Sequence, residues 1–183
     1  MTNGPAASSN NAGVTIHRVY LAGPDVFRPD AAEHGRFLVG LCAEHGFEGV
    51  FPLDASLAGA RRPPGELAAQ IYRDNVARID GCDAVLANLD YFRRLEPDSG
   101  TCFEVGYAVA RGKVVIGYIP DGGSIPERIR SRDPSLLRGG LDANGWTVED
   151  FELPLNLMLA VPCRSVVGGP RAGLAALREL CGD

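Results

Sequence analysis

The sequence predicts an α/β fold with a doubly wound, mostly parallel sheet. Short β-branched apolar runs alternate with segments of helical periodicity, which is the pattern of parallel βαβ units with helices on both faces of a sheet. The chain has 183 residues, of which 45% are hydrophobic and 22% charged, values that fit one globular core. No repeat or linker is evident. We therefore expect a disordered tail over residues 1–14 and one domain over residues 15–183.

The first crossover is predicted close to the start of that domain. A β-branched apolar run over residues 16–23 predicts a strand, which ends at the turn dipeptide Gly23-Pro24. Residues 31–46 place apolar side chains at helical spacing and finish on a glycine, a suitable left-handed cap. Residues 47–51 then predict a short second strand.

The same alternation continues through the middle of the chain. In order, we predict a Pro-, Gly- and Arg-rich loop (52–65), a helix (66–79), a buried strand (83–89), a loop (90–100), a helix (101–111) and a strand (113–119). Apolar periodicity is weak over residues 121–150, before two further helices at 153–161 and 171–180. Together these elements predict a five-stranded, flavodoxin/Rossmann-like sheet whose ligand edge lies near Gly23, Asp90 and Pro120.

Composition and charge exclude several classes of partner. The formal net charge of −5 comes from scattered residues without a basic stripe, so polymeric nucleic acid is not an expected partner. The five cysteines show no paired CxxC or Cys/His spacing, so we expect reduced thiols in a cytoplasmic protein and no metal site. The first residues lack a basic start or an apolar run, so neither a signal peptide nor membrane association is expected.

The most informative segment is residues 96–108, where two acids flank a predicted helix start. Asp98 and Glu104 both face the expected ligand edge, and Gly100 between them allows close backbone approach. We expect the positive end of the helix to keep Glu104 ionised, as a nucleophilic carboxylate must be. Glycosyl chemistry needs one group to trap the sugar and another to protonate the departing base. The alternative is structural, since Thr101-x-x-Glu104 also fits a capping box and Asp98 a turn.

A second segment, from Tyr20 to Phe27, combines a phenol, a carboxylate and an aromatic ring around Gly23. Phe27 is a candidate to stack a nucleobase, Asp25 to bond its edge or a sugar hydroxyl, and Tyr20 to orient Glu104. A core aromatic followed by an ordinary Gly-Pro turn is an equally good interpretation of this segment alone. Neither Gly-x-Gly-x-x-Gly nor a P-loop is present, which disfavours dinucleotides and nucleoside triphosphates.

Three motifs, in this order and spacing, resemble the nucleoside 2-deoxyribosyltransferase family over about residues 19–158. They are Tyr20-Leu-Ala-Gly-Pro with Phe27, Asp98-Ser-Gly followed by Phe-Glu104-Val-Gly-Tyr-Ala, and Pro154-Leu-Asn156-Leu-Met158. The resemblance implies an enzyme that moves 2-deoxyribose between deoxyribonucleosides and free nucleobases with retention of configuration. Such a reaction needs neither a metal nor an organic cofactor.

The resemblance also implies roles for individual residues. Glu104 is the nucleophile that forms a covalent deoxyribosyl intermediate, Tyr20 positions it through a hydrogen bond, and Asp98 helps to handle the base proton and to bind. Asn156, with Met158 beside it, resembles the residue that a neighbouring subunit contributes to the sugar 5′-hydroxyl, which implies a homo-oligomer with shared sites. Taken alone, Asn156 is a polar side chain in an apolar helix.

The sequence departs from the family pattern at one position. Asn75, with Asp74 adjacent, stands where some members have an aspartate that contacts the base. An amide cannot act as a general acid. It offers both a donor and an acceptor, which suits recognition of several bases.

Two alternatives stay open at this point. A related hydrolase of 2-deoxyribonucleoside 5′-monophosphates would use water as acceptor and a cation for the phosphate, for which Arg28, Arg93 and Arg94 are candidates. The 5′-hydroxyl contact implied for Asn156 favours nucleosides over nucleotides. The alternative of another class is a non-catalytic nucleotide-binding module, in which Glu104 only caps a helix.

Overall fold

A computed structural model of the chain describes residues 14–52, 62–93 and 95–182. The tail predicted over residues 1–14, apart from Val14, and most of the loop predicted over residues 52–65 lie outside the described residues, as does Arg94. Within the described ranges, no helix is long and apolar enough to cross a bilayer.

Across residues 14–52, 62–93 and 95–182, five parallel strands form one sheet in the order β2-β1-β3-β4-β5. The strands are β1 (Arg18–Ala22), β2 (Glu48–Val50), β3 (Ala84–Asn88), β4 (Val114–Ile119) and β5 (Arg164–Val167). The predicted doubly wound sheet is thereby confirmed, with every neighbouring pair parallel. The strand order reverses between β1 and β3, and the carboxyl ends of strands at such a switch point are where open α/β sheets bind ligands.

Helices cover both faces of the sheet. They are α1 (Ala31–Glu44), α2 (Pro64–Asp80), α3 (Ser99–Ala110), α4 (Ile125–Arg132), α5 (Leu157–Ala160) and α6 (Pro170–Leu180), with 3₁₀ turns at Pro24–Phe27 and Pro134–Leu136. Leu38 of α1 and Leu174 of α6 pack in the core on one face. Ile79 of α2, Val105 of α3 and Leu159 of α5 pack in the core on the other. Two apolar layers thus hold the strands that carry the site.

Three elements near the C-terminal half differ from the sequence prediction. The helix predicted over residues 153–161 is only α5, because the Asn156 side chain caps it by accepting from the Met158 amide. Strand β5 was not located from the sequence, since it is a four-residue edge strand with exposed ends and a weak apolar signal. Segment 121–150 contains α4, whose buried side chains include Arg128 where apolar periodicity would require a hydrophobic residue.

Candidate active site

A cavity of about 420 Å³ lies beside the carboxyl end of β1, enclosed by the loop after β1, by α2 and by the start of α3. Its lining includes apolar side chains of α2, Leu67 and Ile71. Six residues singled out from the sequence also line it, namely Gly23, Phe27, Asn75, Asp98, Gly100 and Glu104. The residues come from three separate segments, and the parallel crossovers bring them to one edge of the sheet.

Glu104 is held in this cavity by Tyr20. Tyr20 is fully buried on β1, on the sheet face that packs against α3, and its hydroxyl donates a 2.6 Å hydrogen bond to Oε1 of Glu104. Burial raises the pKa of Tyr20 far above its usual range, and the Glu104 carboxylate raises it further. Tyr20 therefore stays a neutral phenol and serves as a fixed donor.

The charge of Glu104 is finely balanced. The pKa of its carboxyl is raised from 4.5 to about 7. Burial raises this pKa most, the hydrogen bond from Tyr20 lowers it, and the nearby Asp98 carboxylate raises it further. The prediction that the helix end keeps Glu104 ionised is wrong in this respect. Glu104 lies in the second turn of α3, where the dipole is weak, and desolvation outweighs it. Burial therefore works against ionisation of Glu104, and the Tyr20 hydrogen bond works for it.

Asp98, rather than Thr101, is the cap of α3. Its Oδ2 accepts hydrogen bonds from the Thr101 amide at 3.0 Å and the Thr101 hydroxyl at 3.2 Å, so α3 begins at Ser99, before the predicted start. The capping-box alternative for Glu104 is therefore wrong, since the Glu104 side chain turns to Tyr20 instead of the helix start. A Cβ at Gly100 would lie 3.0 Å from the Asp98 carboxylate, so the glycine leaves room for it.

Asp25 stabilises the loop after β1 through its contacts with neighbouring elements. It is not among the residues that line the cavity. It is buried, accepts a 3.0 Å hydrogen bond from Nδ2 of Asn88, and lies 3.1 Å from Nε2 of His34. A Cβ at Gly23 would come within 2.7 Å of the Asp25 carboxylate and 2.9 Å of Asn88. The structure thus ties the loop to β3 and α1 through this carboxylate.

Neither His34 nor Asn88 was singled out from the sequence. A polar residue at the carboxyl end of a buried strand was an available signal for Asn88. His34 carries no such local signal, because its contact with Asp25 depends on how α1 packs.

Phe27 forms an aromatic edge to the cavity. Its ring is 60% exposed and stacks on Phe92 with centroids 5.5 Å apart. The Arg93 guanidinium carbon lies 4.6 Å from the Phe92 centroid and 5.6 Å from that of Phe27. Arg93 has φ of 61°, a left-handed conformation that residues other than glycine rarely adopt. An open ring and a cation therefore stand together at the rim.

Asn75 lines the cavity from α2, and its Oδ1 accepts a 2.9 Å hydrogen bond from Arg78. Asp74, its neighbour, bonds Gln70 at 2.6 Å along the same helix. Arg78 uses one lone pair of the amide oxygen, so the second lone pair and the amide nitrogen of Asn75 can still bond a ligand.

Neither Asn156 nor Met158 is among the residues that line the Glu104 cavity of the same chain. Asn156 lines a second cavity of about 740 Å³, together with residues of the segment 121–149. The Met158 side chain is 73% exposed. Among the described residues, Asn156 and Glu104 of one chain thus line different cavities.

The fold and the first cavity together define a class. It consists of single-sheet α/β proteins whose ligand cavity lies at the β1/β3 switch point and holds a partly buried carboxylate, a second carboxylate and an aromatic edge. The chain belongs to the nucleoside 2-deoxyribosyltransferase family, whose family model matches residues 19–158.

The chain is also similar to individual proteins. The chain is 40% identical over 155 residues to an uncharacterized protein of Schizosaccharomyces pombe, which covers 76% of this chain and 74% of that protein. It is 33% identical to a 2-desoxiribosyltransferase from Leishmania mexicana, over 89% of this chain and 97% of that chain, with a TM-score of 0.70. A conserved protein from Enterococcus faecalis, 19% identical with a TM-score of 0.54 over 90% of this chain and 99% of that one, shares the fold.

Proposed function

We propose that the protein transfers 2-deoxyribose between nucleobases by double displacement, with Glu104 as the nucleophile. The observation that carries the proposal is a partly buried carboxylate that lines a ligand-sized cavity and is oriented by a neutral phenol donor. The likeness to a 2-desoxiribosyltransferase over most of the chain supports the same reaction.

In the first step, the ionised Glu104 attacks C1′ of a bound deoxyribonucleoside. The C1′–N bond breaks, its electron pair leaves with the base, and the base takes up a proton that Asp98 helps to deliver. Tyr20 binds Oε1, so Oε2 is the proposed attacking oxygen. The product is a deoxyribosyl ester of Glu104.

In the second step, a nitrogen of another base attacks C1′ from the face that the first base left. The ester bond breaks and Glu104 regains its negative charge. The attacking base gives up its proton, which Asp98 helps to take up, so that the proton delivered in the first step is replaced. Two inversions give net retention of configuration, and water replaces the second base only slowly. All of these steps use side chains of the protein alone.

The remaining cavity residues bind the base. Phe27 offers an exposed ring for stacking, and Asn75 offers an amide nitrogen to a base edge. Asp25 was predicted to bond a base edge or a sugar hydroxyl. Because its oxygens contact Asn88 and His34, its proposed role is instead to stabilise the binding loop together with Gly23.

The sugar 5′-hydroxyl is bound by a neighbouring subunit. Asn156 and the exposed Met158 lie outside the Glu104 cavity of their own chain, which fits a role in the site of a second copy. The functional unit is therefore a homo-oligomer.

A hydrolase of 2-deoxyribonucleoside 5′-monophosphates is the second candidate, favoured by Arg93 at the cavity rim. Arg28 is less suited, because it pairs with Asp30 at 2.9 Å. Two carboxylates in the cavity, Asp98 and Glu104, disfavour a phosphate dianion nearby.

One assay separates the two candidates. The protein is incubated with thymidine and adenine, and in parallel with thymidine 5′-monophosphate in water. Formation of deoxyadenosine, with little thymine released from the monophosphate, is the expected result. Rapid release of thymine from the monophosphate without base exchange would replace the transferase by the hydrolase.

A further inference from the structure

Glu149 makes an unusual pair of contacts for a carboxylate in a segment without strong sequence signals. Its Oε2 accepts a 2.7 Å hydrogen bond from Nδ2 of Asn156, and its Oε1 accepts a 2.8 Å hydrogen bond from the Leu157 amide. Both oxygens are therefore used at the start of α5. An ionised carboxylate suits this place because both of its oxygens accept hydrogen bonds and neither donates.

These contacts fix the orientation of the Asn156 side chain. Its Oδ1 accepts from the Met158 amide at 3.0 Å while its Nδ2 donates to Glu149, so both ends of the amide are held. One N–H of Nδ2 and one lone pair of Oδ1 stay available to a ligand. Side chains that bind a ligand are usually locked in this way by their neighbours.

Other residues of segment 121–149 bind the backbone just before α5. Arg128 donates from Nη1 to the Pro154 carbonyl at 2.9 Å, and the Ile125 amide donates to the Leu153 carbonyl at 3.0 Å. The Arg128 side chain is buried, with its guanidinium 3.9 Å from the centroid of the Tyr91 ring. The segment therefore holds the approach to α5 from several directions.

We propose that Glu149 is a positioning residue, which orients Asn156 for its contact with the sugar 5′-hydroxyl. The inference rests on the proposed function and assigns a purpose to segment 121–149. Glu149 acts through Asn156 and not on the reacting atoms, so its loss affects only substrates that carry the hydroxyl.

The test compares two donors, thymidine and 5′-deoxythymidine, with adenine as acceptor. The variants are Glu149→Ala, Asn156→Ala and the double variant. Asp150→Ala is the matched control, since it removes the same charge from the next, exposed residue. Thermal melting of each variant checks that it folds.

We expect Glu149→Ala to lower kcat/KM for thymidine about tenfold, mainly through KM, and to change kcat/KM for 5′-deoxythymidine by less than about twofold. The double variant should be no worse than Asn156→Ala, because the two residues act as one unit. Asp150→Ala should match the wild type. An equal loss on both donors, additive effects in the double variant, or no loss at all would overturn the inference.

Failure of the proposed function has a different signature. If the wild type transfers neither sugar to adenine, the transferase itself is refuted and the role of Glu149 falls with it. If the wild type is active, only the pattern across donors and variants decides on Glu149.

If Glu149→Ala does not fold, a second experiment reverses the direction of the hydrogen bond between residues 149 and 156. In Glu149→Gln, the side-chain oxygen can still accept from the Leu157 amide, but the side-chain nitrogen then faces Nδ2 of Asn156. Two donors face each other and no hydrogen bond forms, so the variant should impair thymidine transfer. Adding Asn156→Asp restores a hydrogen bond of reversed polarity, from Gln to Asp. Recovery of at least part of the lost kcat/KM for thymidine is expected, and a further loss would contradict the positioning role.

Discussion

The Glu104 cavity and the Asn156 cavity differ in how each binds its glutamate. Glu104 accepts one hydrogen bond, from Tyr20, in the described part of the chain, and burial raises its pKa to about 7. Glu149 has both oxygens bonded to N–H groups of the residues that it supports. A desolvated carboxylate with an open oxygen is prepared to react, whereas a fully bonded one is prepared to hold a backbone in place.

A third glutamate sharpens the comparison. Glu96 lines the second cavity, and burial, followed by the charge of Glu149, raises the pKa of its carboxyl. A raised pKa alone therefore does not mark the reactive acid. What distinguishes Glu104 is the oriented phenol beside it and the cavity that it shares with Asp98.

The largest effect is expected from Glu104→Gln. Because the amide cannot form the glycosyl ester, base exchange should fall at least about a thousandfold. Glu96→Gln is the matched control from the other cavity and should keep activity within about threefold of the wild type. The initial rate of deoxyadenosine formation measures both, and comparable losses in the two variants would abolish the distinction between the cavities.

Two variants of Asp98 distinguish its structural role as a helix cap from its proposed chemical role as a proton-handling acid. Asn is as good a helix cap as Asp, so Asp98→Asn should retain the melting temperature while transfer falls about 10²-fold through loss of the proton-handling acid. Asp98→Ala should lose the same activity and, in addition, about 1 kcal/mol of stability. Unchanged transfer in Asp98→Asn would leave this residue as a cap only.

Tyr20→Phe should change the pH dependence of the reaction. The Tyr20 hydrogen bond lowers the pKa of Glu104, so its removal raises that pKa, and the ionised fraction at pH 7 falls. We expect kcat/KM to drop about tenfold at neutral pH and its acidic limb to move to higher pH. The pH profile of exchange measures this, and a limb that stays in place or moves to lower pH would contradict the account.

The smallest effect concerns stability. The pKa of Glu104 is raised from 4.5 to about 7 in the folded protein, so the protonated carboxyl favours the folded state. This contribution to stability is full below pH 4.5 and is lost as the pH rises from 4.5 to about 7. The Glu104→Gln variant does not lose this stability at high pH, because its amide does not ionise. At pH 8 its melting temperature should exceed that of the wild type by about 2–4 °C, or about 1 kcal/mol, with a smaller difference at pH 4. A pH-independent difference would show that Glu104 is not desolvated.

Much of the first cavity was predictable because its residues sit in short motifs at the ends of periodic elements. Apolar runs located four of the five strands, and the parallel topology that they imply brings Tyr20, Asp98 and Glu104 together. The exact helix start was not predictable, since Asp98 and Thr101 are both good caps and only the packed loop decides between them.

The contacts in the second cavity could not be predicted from the sequence, for a physical reason. The bonds of Glu149 reach seven and eight residues ahead, and those of Arg128 reach twenty-six, with no periodic apolar pattern to announce them. Polar tertiary contacts of this kind depend on the folded path of the chain, which a local pattern does not encode.

The most direct test of the central claim is to look for the sugar on Glu104. The protein is mixed with a deoxyribonucleoside in the absence of an acceptor base, quenched in acid and analysed by intact-protein mass spectrometry, followed by peptide mapping. We predict one added deoxyribosyl group on the peptide that contains Glu104, and its loss on addition of adenine before the quench. An active protein that never carries the sugar, or that carries it on another residue, would contradict the account.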